Sequence, residues 1–267
     1  MVRIQLYILI LALSFTLSAE IPQKFAFKDG EKLFFEAAYN LNFIWVPAGE
    51  AVLSVKTSKF NNKQVFGFEA TGTSLQNYDW FFKVRNKYTA YADDQTLNTF
   101  FFERIASEGS KEVYERYNVD PEKKQIFSYY KFNKKPLVID TLYFKDRIFD
   151  ALTAAYYMRS LDFTKIKKDE KIYLPVIIDN KLFPMYIRYM GKDVLVSHDK
   201  HFYNCHKFSA LVMEGTIFKG GEDVFVWVSD DDNHVPIQVE AKIIVGSIKI
   251  QLKRTENLSY PFKAFIK

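Results

Sequence analysis

The 267-residue sequence lacks features that would mark several specialised protein classes. It has one cysteine, Cys205, so an intramolecular disulfide is excluded and the fold must be stabilised by packing. Because 37 Lys and Arg face 32 Asp and Glu, the net charge is only +5, which gives no basis for nucleic-acid binding. Ten Gly and eight Pro exclude a collagen-like chain, and 48% apolar residues exclude a disordered one.

Residues 1–19 differ in composition from the rest of the chain. A cation at Arg3 precedes an apolar stretch over residues 4–13, and small and polar residues follow up to Ala19. This order is typical of a secretory signal peptide cleaved after Ala19. An uncleaved anchor is disfavoured because the stretch falls short of the roughly 20 apolar residues that a span needs. We therefore expect a periplasmic protein with one domain over residues 20–267 and no transmembrane span after cleavage.

Aromatic residues are abundant, with 26 Phe, 17 Tyr and 3 Trp. They favour strands, and apolar residues alternate with a period of two along most of the chain. The alternation over residues 33–39, followed by turn residues at 46–49, predicts a first hairpin. The clearest predicted strand covers residues 78–91. Residues 224–228 are apolar on both faces, which predicts a central strand covered on both sides.

One segment predicts a helix, over residues 150–161. Asp150 can cap its N-terminus, Arg159 suits its last turn, and apolar residues on nearly every side predict burial. After Gly246 the apolar positions shift from odd to even numbers, which predicts a β-bulge there. The predicted fold is all-β with minor α: a curved antiparallel sheet or incomplete β-barrel with one buried helix.

The densest cluster of residues that commonly bind metals contains His198, His201, Cys205 and His206. Imidazole and thiolate are ligands for zinc and copper. In a strand over residues 202–208, however, Cys205 and His206 point to opposite faces and do not reach one ion. We therefore predict a buried cysteine beside loop histidines, with neither a metal nor another cofactor.

Two groups of carboxylates also invite a functional interpretation. Residues 230–234 are rich in calcium-binding oxygens but lack the spacing of a calcium loop, so a solvated hairpin turn is predicted. Asp93 and Glu103 suit the acid–base pair of a glycoside hydrolase, although loosely paired strand charges explain them equally well. The sequence contains neither a G-x-S-x-G elbow nor a phosphate-binding loop, and no catalytic residue is assigned.

Several segments together resemble an exported bacterial family known as domain of unknown function 3108. The most specific is the run from Trp227 to Pro236 with the sequel Val245 to Ile248, and further segments are residues 30–33, 48–51, 92–97, 104, 108–109, 149–159 and 203–208. His234 and Val235 depart from the basic residue and Ile that usually precede this Pro. The resemblance implies an envelope protein without an assigned activity, and it brings no catalytic residues.

The aromatic surplus indicates either a dense core or a concave apolar pocket inside a curved sheet. We predict a non-enzymatic protein that binds a hydrophobic or amphiphilic, lipid-like molecule on its concave face. The expected lining residues are Trp80, Phe82, Tyr156 and Trp227. Two alternatives stay open: an envelope glycan hydrolase that uses paired carboxylates, and a structural module that binds another envelope protein.

Overall fold

The computed structural model describes residues 22, 24–41, 44–197, 200–212, 221–242 and 246–267. The predicted signal peptide lies outside these ranges. Within them, fourteen strands form one antiparallel sheet. The strands are β1 Lys32–Leu41, β2 Ile44–Phe60, β3 Lys63–Ser74, β4 Val84–Asp93, β5 Thr99–Glu108, β6 Lys111–Asp120, β7 Gln125–Phe132, β8 Val138–Tyr143, β9 Lys171–Ile178, β10 Lys181–Val196, β11 Phe202–Val212, β12 Gly221–Ser229, β13 Pro236–Lys242 and β14 Ser247–Glu256.

The sheet has two arms that join where β1 pairs with β14. One arm runs from β1 through β2 to β8, and the other runs from β14 back through β13 to β9. The edge strands β8 and β9 do not pair with each other, so the sheet is open. Phe149, which follows β8, forms a parallel bridge to Val176 of β9 and covers part of that edge. The predicted curved antiparallel sheet with minor helix content is confirmed.

The predicted helix is also present. Helix α2, Ala151–Arg159, begins after Asp150, whose Oδ1 accepts hydrogen bonds from the backbone N–H groups of Leu152 and Thr153 at 2.9 and 3.0 Å. Its Tyr156 ring stacks on Phe68 of β3 with 4.2 Å between ring centroids. A shorter helix, α1 Asp79–Phe82, precedes β4. Neither helix has the length and apolar content that crossing a bilayer requires within the described ranges.

Apolar side chains cover both faces of β12. Val224 and Val228 belong to the main core between the sheet and α2. Trp227 belongs to a second cluster on the other face, together with Leu195, Cys205 and Ile237. The C-terminal segment lies over this second cluster, where the N–H of Asn204 donates to the carbonyl of Ala264 at 2.9 Å. The prediction of a central strand covered on both sides is confirmed.

The strand predicted over residues 78–91 begins later than expected, at Val84. The preceding residues form α1 and a 3-10 turn, Gln76–Tyr78. Alternation did not reveal this because Asp79 binds back to Ser74 and Arg85, and these contacts turn the chain out of the sheet.

Two further details of the prediction are wrong. The turn predicted at residues 46–49 lies inside β2, where Ala37 pairs with Gly49 and Ala38 with Pro47, so Ala48 is the extra residue of a bulge. Pro47 is compatible with a bulge because it has no N–H to donate. The phase change at Gly246 reflects a new strand, since β13 ends at Lys242 and β14 begins at Ser247.

Candidate functional site

Two rows of apolar side chains cross the four neighbouring strands β1, β14, β13 and β12. Cross-strand partners lie on the same face of a sheet. The first row is Ala37, Ile250, Val239 and Val226, and the second is Tyr39, Ile248, Ala241 and Val224. Val224 belongs to the main core, and Val226, Val239 and Ala241 pack against it. These eight residues, named the apolar rows below, therefore lie on the concave face.

Most residues of the apolar rows are less buried than the part of the concave face that lies around α2. Val224 is 9% exposed, and the other seven residues are all partly exposed. In contrast, Phe68 and Leu174 are fully buried on the same face. Helix α2 packs against β3, β4 and β9, and therefore covers that part of the core. A concave, partly exposed apolar surface is a common property of ligand-binding sites.

The two ends of the curved sheet differ in how far α2 covers them, and the end that α2 covers is named the plugged end. At the plugged end, where β4 turns into β5, Asp150 at the start of α2 accepts a 2.8 Å hydrogen bond from Thr99. The opposite end, where β5 turns into β6 through Gly109, is named the open end. The apolar rows lie toward the open end of β13 and β14, whose connection is at that end.

Polar groups occupy the concave side of the other arm. Asn86 of β4 donates to Glu108 of β5 at 2.7 Å, and Arg104 of β5 lies 3.2 Å from the Glu115 carboxylate of β6. Glu115 is fully buried, and this burial raises the pKa of its carboxyl group. Burial also raises the pKa of Tyr88, which pairs with Arg104 across the strands. The concave face thus combines an apolar wall with a polar wall.

The turn between β9 and β10 connects the two arms. The N–H of Asp179 donates to Glu115 Oε1 at 2.5 Å, and the N–H of Asn180 donates to the Tyr117 hydroxyl at 3.0 Å. Arg104 Nη1 also lies 3.3 Å from Asp179 Oδ1. Because these contacts join strands far apart in the sheet order, they maintain the barrel-like curvature without backbone pairing between β8 and β9.

A cleft of about 310 Å³ opens at the plugged end, beside the last turn of α2. Its most buried ion is Arg159, which lies 2.6 and 2.9 Å from the two carboxylate oxygens of Glu31 and donates to the carbonyl of Asn233 at 3.1 Å. His234 donates through Nδ1 to the carbonyl of Arg159 at 2.6 Å, and burial lowers its pKa. These groups are engaged in the protein's own contacts, which favours a structural role for the cleft.

A smaller cleft of about 130 Å³ lies between the β4–β5 and β6–β7 turns, beside Lys124 and Arg147. The guanidinium of Arg147 stacks on the rings of Phe149 and Tyr157, each with 4.7 Å to the ring centroid. This packing against two aromatic rings explains why part of the Arg147 side chain is buried.

The four lining residues expected from the sequence do not come together. Trp80 is 83% exposed and Phe82 47% exposed, both on α1 at the open end. Tyr156 is buried inside the plugged end, on α2. Trp227 lies on the other face of the sheet, where its Nε1 donates to Asp193 at 2.9 Å. The structure thus separates these residues, and neither cleft includes any of them.

The histidine and cysteine residues also point in different directions. Cys205 is buried in the second cluster, and burial raises the pKa of its thiol to about 12. His206 lies on the other face, between the Tyr189 hydroxyl and Asp230 Oδ1, each at 2.8 Å. His201 packs against Phe265, and His198 lies outside the described residues. Within the described ranges, no group of three His, Cys, Asp or Glu residues is placed to hold a metal ion.

Tyr189, His206 and Asp230 form a hydrogen-bonded relay whose Tyr189 end is buried in the core. Burial raises the pKa of Tyr189 and lowers the pKa of His206, so both side chains stay neutral near pH 7. Tyr189 is also buried against Phe208. We interpret the relay as a structural network.

Asp93 and Glu103 do not form an acid–base pair. Glu103 lies on the convex face because its neighbour Phe102 is in the core. Asp93 caps the β4–β5 turn, where it accepts hydrogen bonds from Gln95 and Thr96. Glu103 pairs with Thr89, four residues before Asp93, which corresponds to about 13 Å along the strand. That separation exceeds the distance between glycosidase carboxyl groups.

The acidic run at residues 230–234 forms the predicted turn between β12 and β13 but is only partly solvated. Asp232 is exposed, whereas Asn233 is fully buried and donates to the carbonyl of Tyr260 at 3.0 Å. Asp231 Oδ2 accepts a hydrogen bond from the N–H of Lys263 at 2.8 Å. The turn therefore fastens the C-terminal segment to the sheet.

The sequence pattern predicted strands at the apolar rows but did not predict a binding site there. The alternation of Ile248 with Ile250, and of Val239 with Ala241, indicates one apolar face. It does not indicate which part of that face α2 leaves uncovered, because burial by α2 depends on contacts between distant segments.

Comparison with known proteins gives a family and a fold. A family model described as "Protein of unknown function (DUF3108)" matches residues 35–253. No curated protein matches the sequence significantly. Among solved structures, the chain is similar to a beta-barrel-like protein of domain of unknown function DUF1849 from Brucella abortus, with a TM-score of 0.51 and 6% identity over 87% of this chain and 99% of that one. At this identity the likeness shows the fold alone.

Proposed function

From the premise that the chain belongs to the DUF3108 family of proteins of unknown function, we propose that it is a non-enzymatic, exported protein that binds a hydrophobic or amphiphilic, lipid-like molecule on its concave face. The observation that carries the proposal is the partial exposure of the apolar rows beside a fully buried core. Water contact with this apolar surface is unfavourable by about 25 cal/mol per Å², and a bound apolar chain relieves it.

The composition of the opposite wall supports an amphiphile over a purely apolar ligand. Asn86, Glu108 and Arg104 place polar groups on the concave side of the other arm. Ala37 and Ala241 are small and partly exposed, so large side chains do not fill the apolar wall at these two positions. A ligand with an apolar chain and a polar end matches this division.

Two further points support an exported, non-enzymatic protein. The cationic start and apolar stretch in residues 1–19 favour export, and thus an envelope location. Neither the family nor the structural neighbour carries a description that indicates an enzyme. The hydrolase alternative has no observation in its favour, since Asp93 and Glu103 are far apart on the convex side.

A fluorescent fatty acid that brightens in apolar surroundings provides a direct test. We expect it to bind the purified protein, and the variants Ala37→Trp and Ala241→Trp to weaken binding at least tenfold because an indole fills the concave face. Ile105→Trp is the matched control, since Ile105 is 52% exposed and lies on the convex face between Arg104 and the buried Ala106. Thermal unfolding of each variant verifies that it folds.

Two results would contradict the proposal. One is the absence of probe binding to the unmodified protein. The other is equal binding by Ala241→Trp and Ile105→Trp. If Leu161→Trp, which fills the cleft beside α2, abolished binding while Ala241→Trp did not, the ligand site would be the cleft and the assignment to the apolar rows would be wrong.

A further inference from the structure

Helix α1 presents large apolar side chains to solvent at the open end. Trp80 is 83% exposed and Phe82 is 47% exposed. Single exposed apolar residues are common on protein surfaces, but exposure of two large aromatic residues in one four-residue helix is less common, and concentrated apolar exposure indicates an interaction site. We name Trp80 and Phe82 the aromatic tip.

The aromatic tip is fixed in place by contacts at its base. Asp79 accepts hydrogen bonds from Ser74 and from Arg85, whose Nη2 lies 2.5 Å from Asp79 Oδ2. The hydrogen bonds from Arg85 and Ser74 lower the pKa of Asp79, so this carboxylate stays charged near neutral pH. The carbonyl of Lys83 accepts a 2.8 Å hydrogen bond from the N–H of Gly109. These contacts hold α1 in a position that leaves the aromatic tip exposed.

Gly109 supports the tip in a second way. Its φ is +61°, and a Cβ atom at this position would lie 2.8 Å from the Phe82 ring. The absence of a side chain therefore lets the ring pack directly over the β5–β6 turn. The Phe82 ring is therefore partly covered by the β5–β6 turn, whereas the Trp80 side chain is more exposed.

The surface around the aromatic tip is apolar and basic. The connection between β7 and β8 is next to the β5–β6 turn, since the N–H of Asn133 donates to the carbonyl of Glu112 at 2.7 Å. It adds Leu137 and Val138, which are 46% and 47% exposed. Four exposed lysines lie on or next to these turns, and they outnumber the exposed carboxylates of Glu112 and Asp140. We name them the rim lysines: Lys83, Lys131, Lys134 and Lys135.

We propose that the aromatic tip inserts into the interface of a lipid bilayer that contains anionic lipids, and that the rim lysines contact the headgroups. Aromatic side chains prefer the boundary between headgroups and acyl chains, and clustered lysines are attracted to anionic lipid surfaces. A protein partner fits less well, because lysine is depleted in protein interfaces. This proposal does not require a ligand on the concave face, although the tip stands at the end where that face opens.

Tryptophan fluorescence quenched by brominated lipid provides the first test. The full chain is mixed with phosphatidylcholine vesicles that contain brominated phosphatidylglycerol. We expect quenching in the unmodified protein and in Trp45→Phe, and a loss of most of the quenching in Trp80→Phe, because Trp80 is the residue that enters the interface. Equal quenching of Trp80→Phe and the unmodified protein would overturn the proposal.

Vesicle flotation provides the second test. We expect Trp80→Ser with Phe82→Ser to lower partitioning into phosphatidylglycerol vesicles about tenfold, and raised salt to lower it as well. The matched control is Val194→Ser with Val196→Ser, which removes two residues that are 53% and 52% exposed near the β10–β11 turn. Every variant has the same N-terminus, so differences between variants report on the tip.

The outcomes also separate this proposal from the ligand site. Ala241→Trp is expected to lose the fluorescent fatty acid and to keep vesicle binding. Unchanged flotation of the tip variant, or an equal loss in the control pair, would overturn membrane docking. Tip-dependent capture of a protein without vesicle binding would overturn it as well, and would identify the tip as a protein interface.

Discussion

The plugged and open ends of the sheet are built from the same strands but are completed differently. At the plugged end, α2 seals the concave face, and its Tyr156 stacks on the fully buried Phe68. At the open end, the residues of the apolar rows stay partly exposed, and the polar side chains of β4 to β6 face them. The comparison shows that one continuous apolar face serves stability in one half, and that the other half is the candidate for binding.

The carboxylates of Glu31 at the plugged end and Glu108 at the open end differ in burial in the same way. The pair of Arg159 and Glu31 is sealed at the plugged end, with side chains 3% and 0% exposed. Glu108 at the open end is only partly buried and pairs with the neutral Asn86. Desolvated ions depend on their partners much more than exposed ones do, so disruption of the two pairs should have very different costs.

The largest expected effect is a core truncation at the plugged end. Phe68→Ala should lower the free energy of unfolding by about 4 kcal/mol, because it removes a buried ring and leaves a cavity beside Tyr156. Ile250→Ala, in the apolar rows, should cost less than about 2 kcal/mol because Ile250 is already partly exposed. Urea unfolding measures the free energy of unfolding of both variants, and equal losses would contradict the proposed difference between the two ends.

Loss of the buried carboxylate should have the next largest effect. Glu31→Gln leaves the Arg159 guanidinium buried without its counter-ion, and we expect a loss of about 3 kcal/mol in urea unfolding. Glu108→Gln is the open-end control, and it should cost less than about 1 kcal/mol. A similar cost for both substitutions would show that the Arg159 site is well hydrated.

The helix cap offers a smaller contrast. Asp150→Ala removes two backbone hydrogen bonds and the hydroxyl contacts from Thr99 and Thr153, so about 2 kcal/mol of stability should be lost. Asp162→Ala removes an exposed cap of the 3-10 turn Phe163–Lys165 and should cost only a few tenths of a kcal/mol. Thermal unfolding of the two variants checks the order.

The smallest expected effect is a pH dependence from Glu115. Its folded-state pKa is raised above the ordinary value by burial, so its contribution to stability is greatest below that ordinary value and declines as pH rises through the folded pKa. Glu115→Gln should flatten this decline when urea unfolding is compared between pH 4.5 and 7. An unchanged pH profile would mean that Glu115 titrates normally and is not desolvated at the junction of the two arms.

Local patterns predicted most of the fold because they depend on neighbours in the chain. Alternation identified β1, β5 and β12, and Asp150 marked the start of α2. The same patterns failed at Tyr78 to Phe82, where contacts of Asp79 with Ser74 and Arg85 outweigh strand propensity. For the candidate site they identified the apolar faces, but the four side chains that they selected do not lie together, since aromatic type does not reveal which face a residue occupies.

Strand alternation, N-capping and family motifs are encoded over short stretches of chain, so the amino-acid sequence was sufficient to predict the class of fold, the capped helix and the family. Contacts between distant segments place Trp227 on the far face under the C-terminal segment and leave Trp80 exposed to solvent. They also set which half of the concave face α2 leaves uncovered. The physical reason is that burial depends on distant partners: Arg159 and Glu31, which secure the plugged end, are separated by 128 residues.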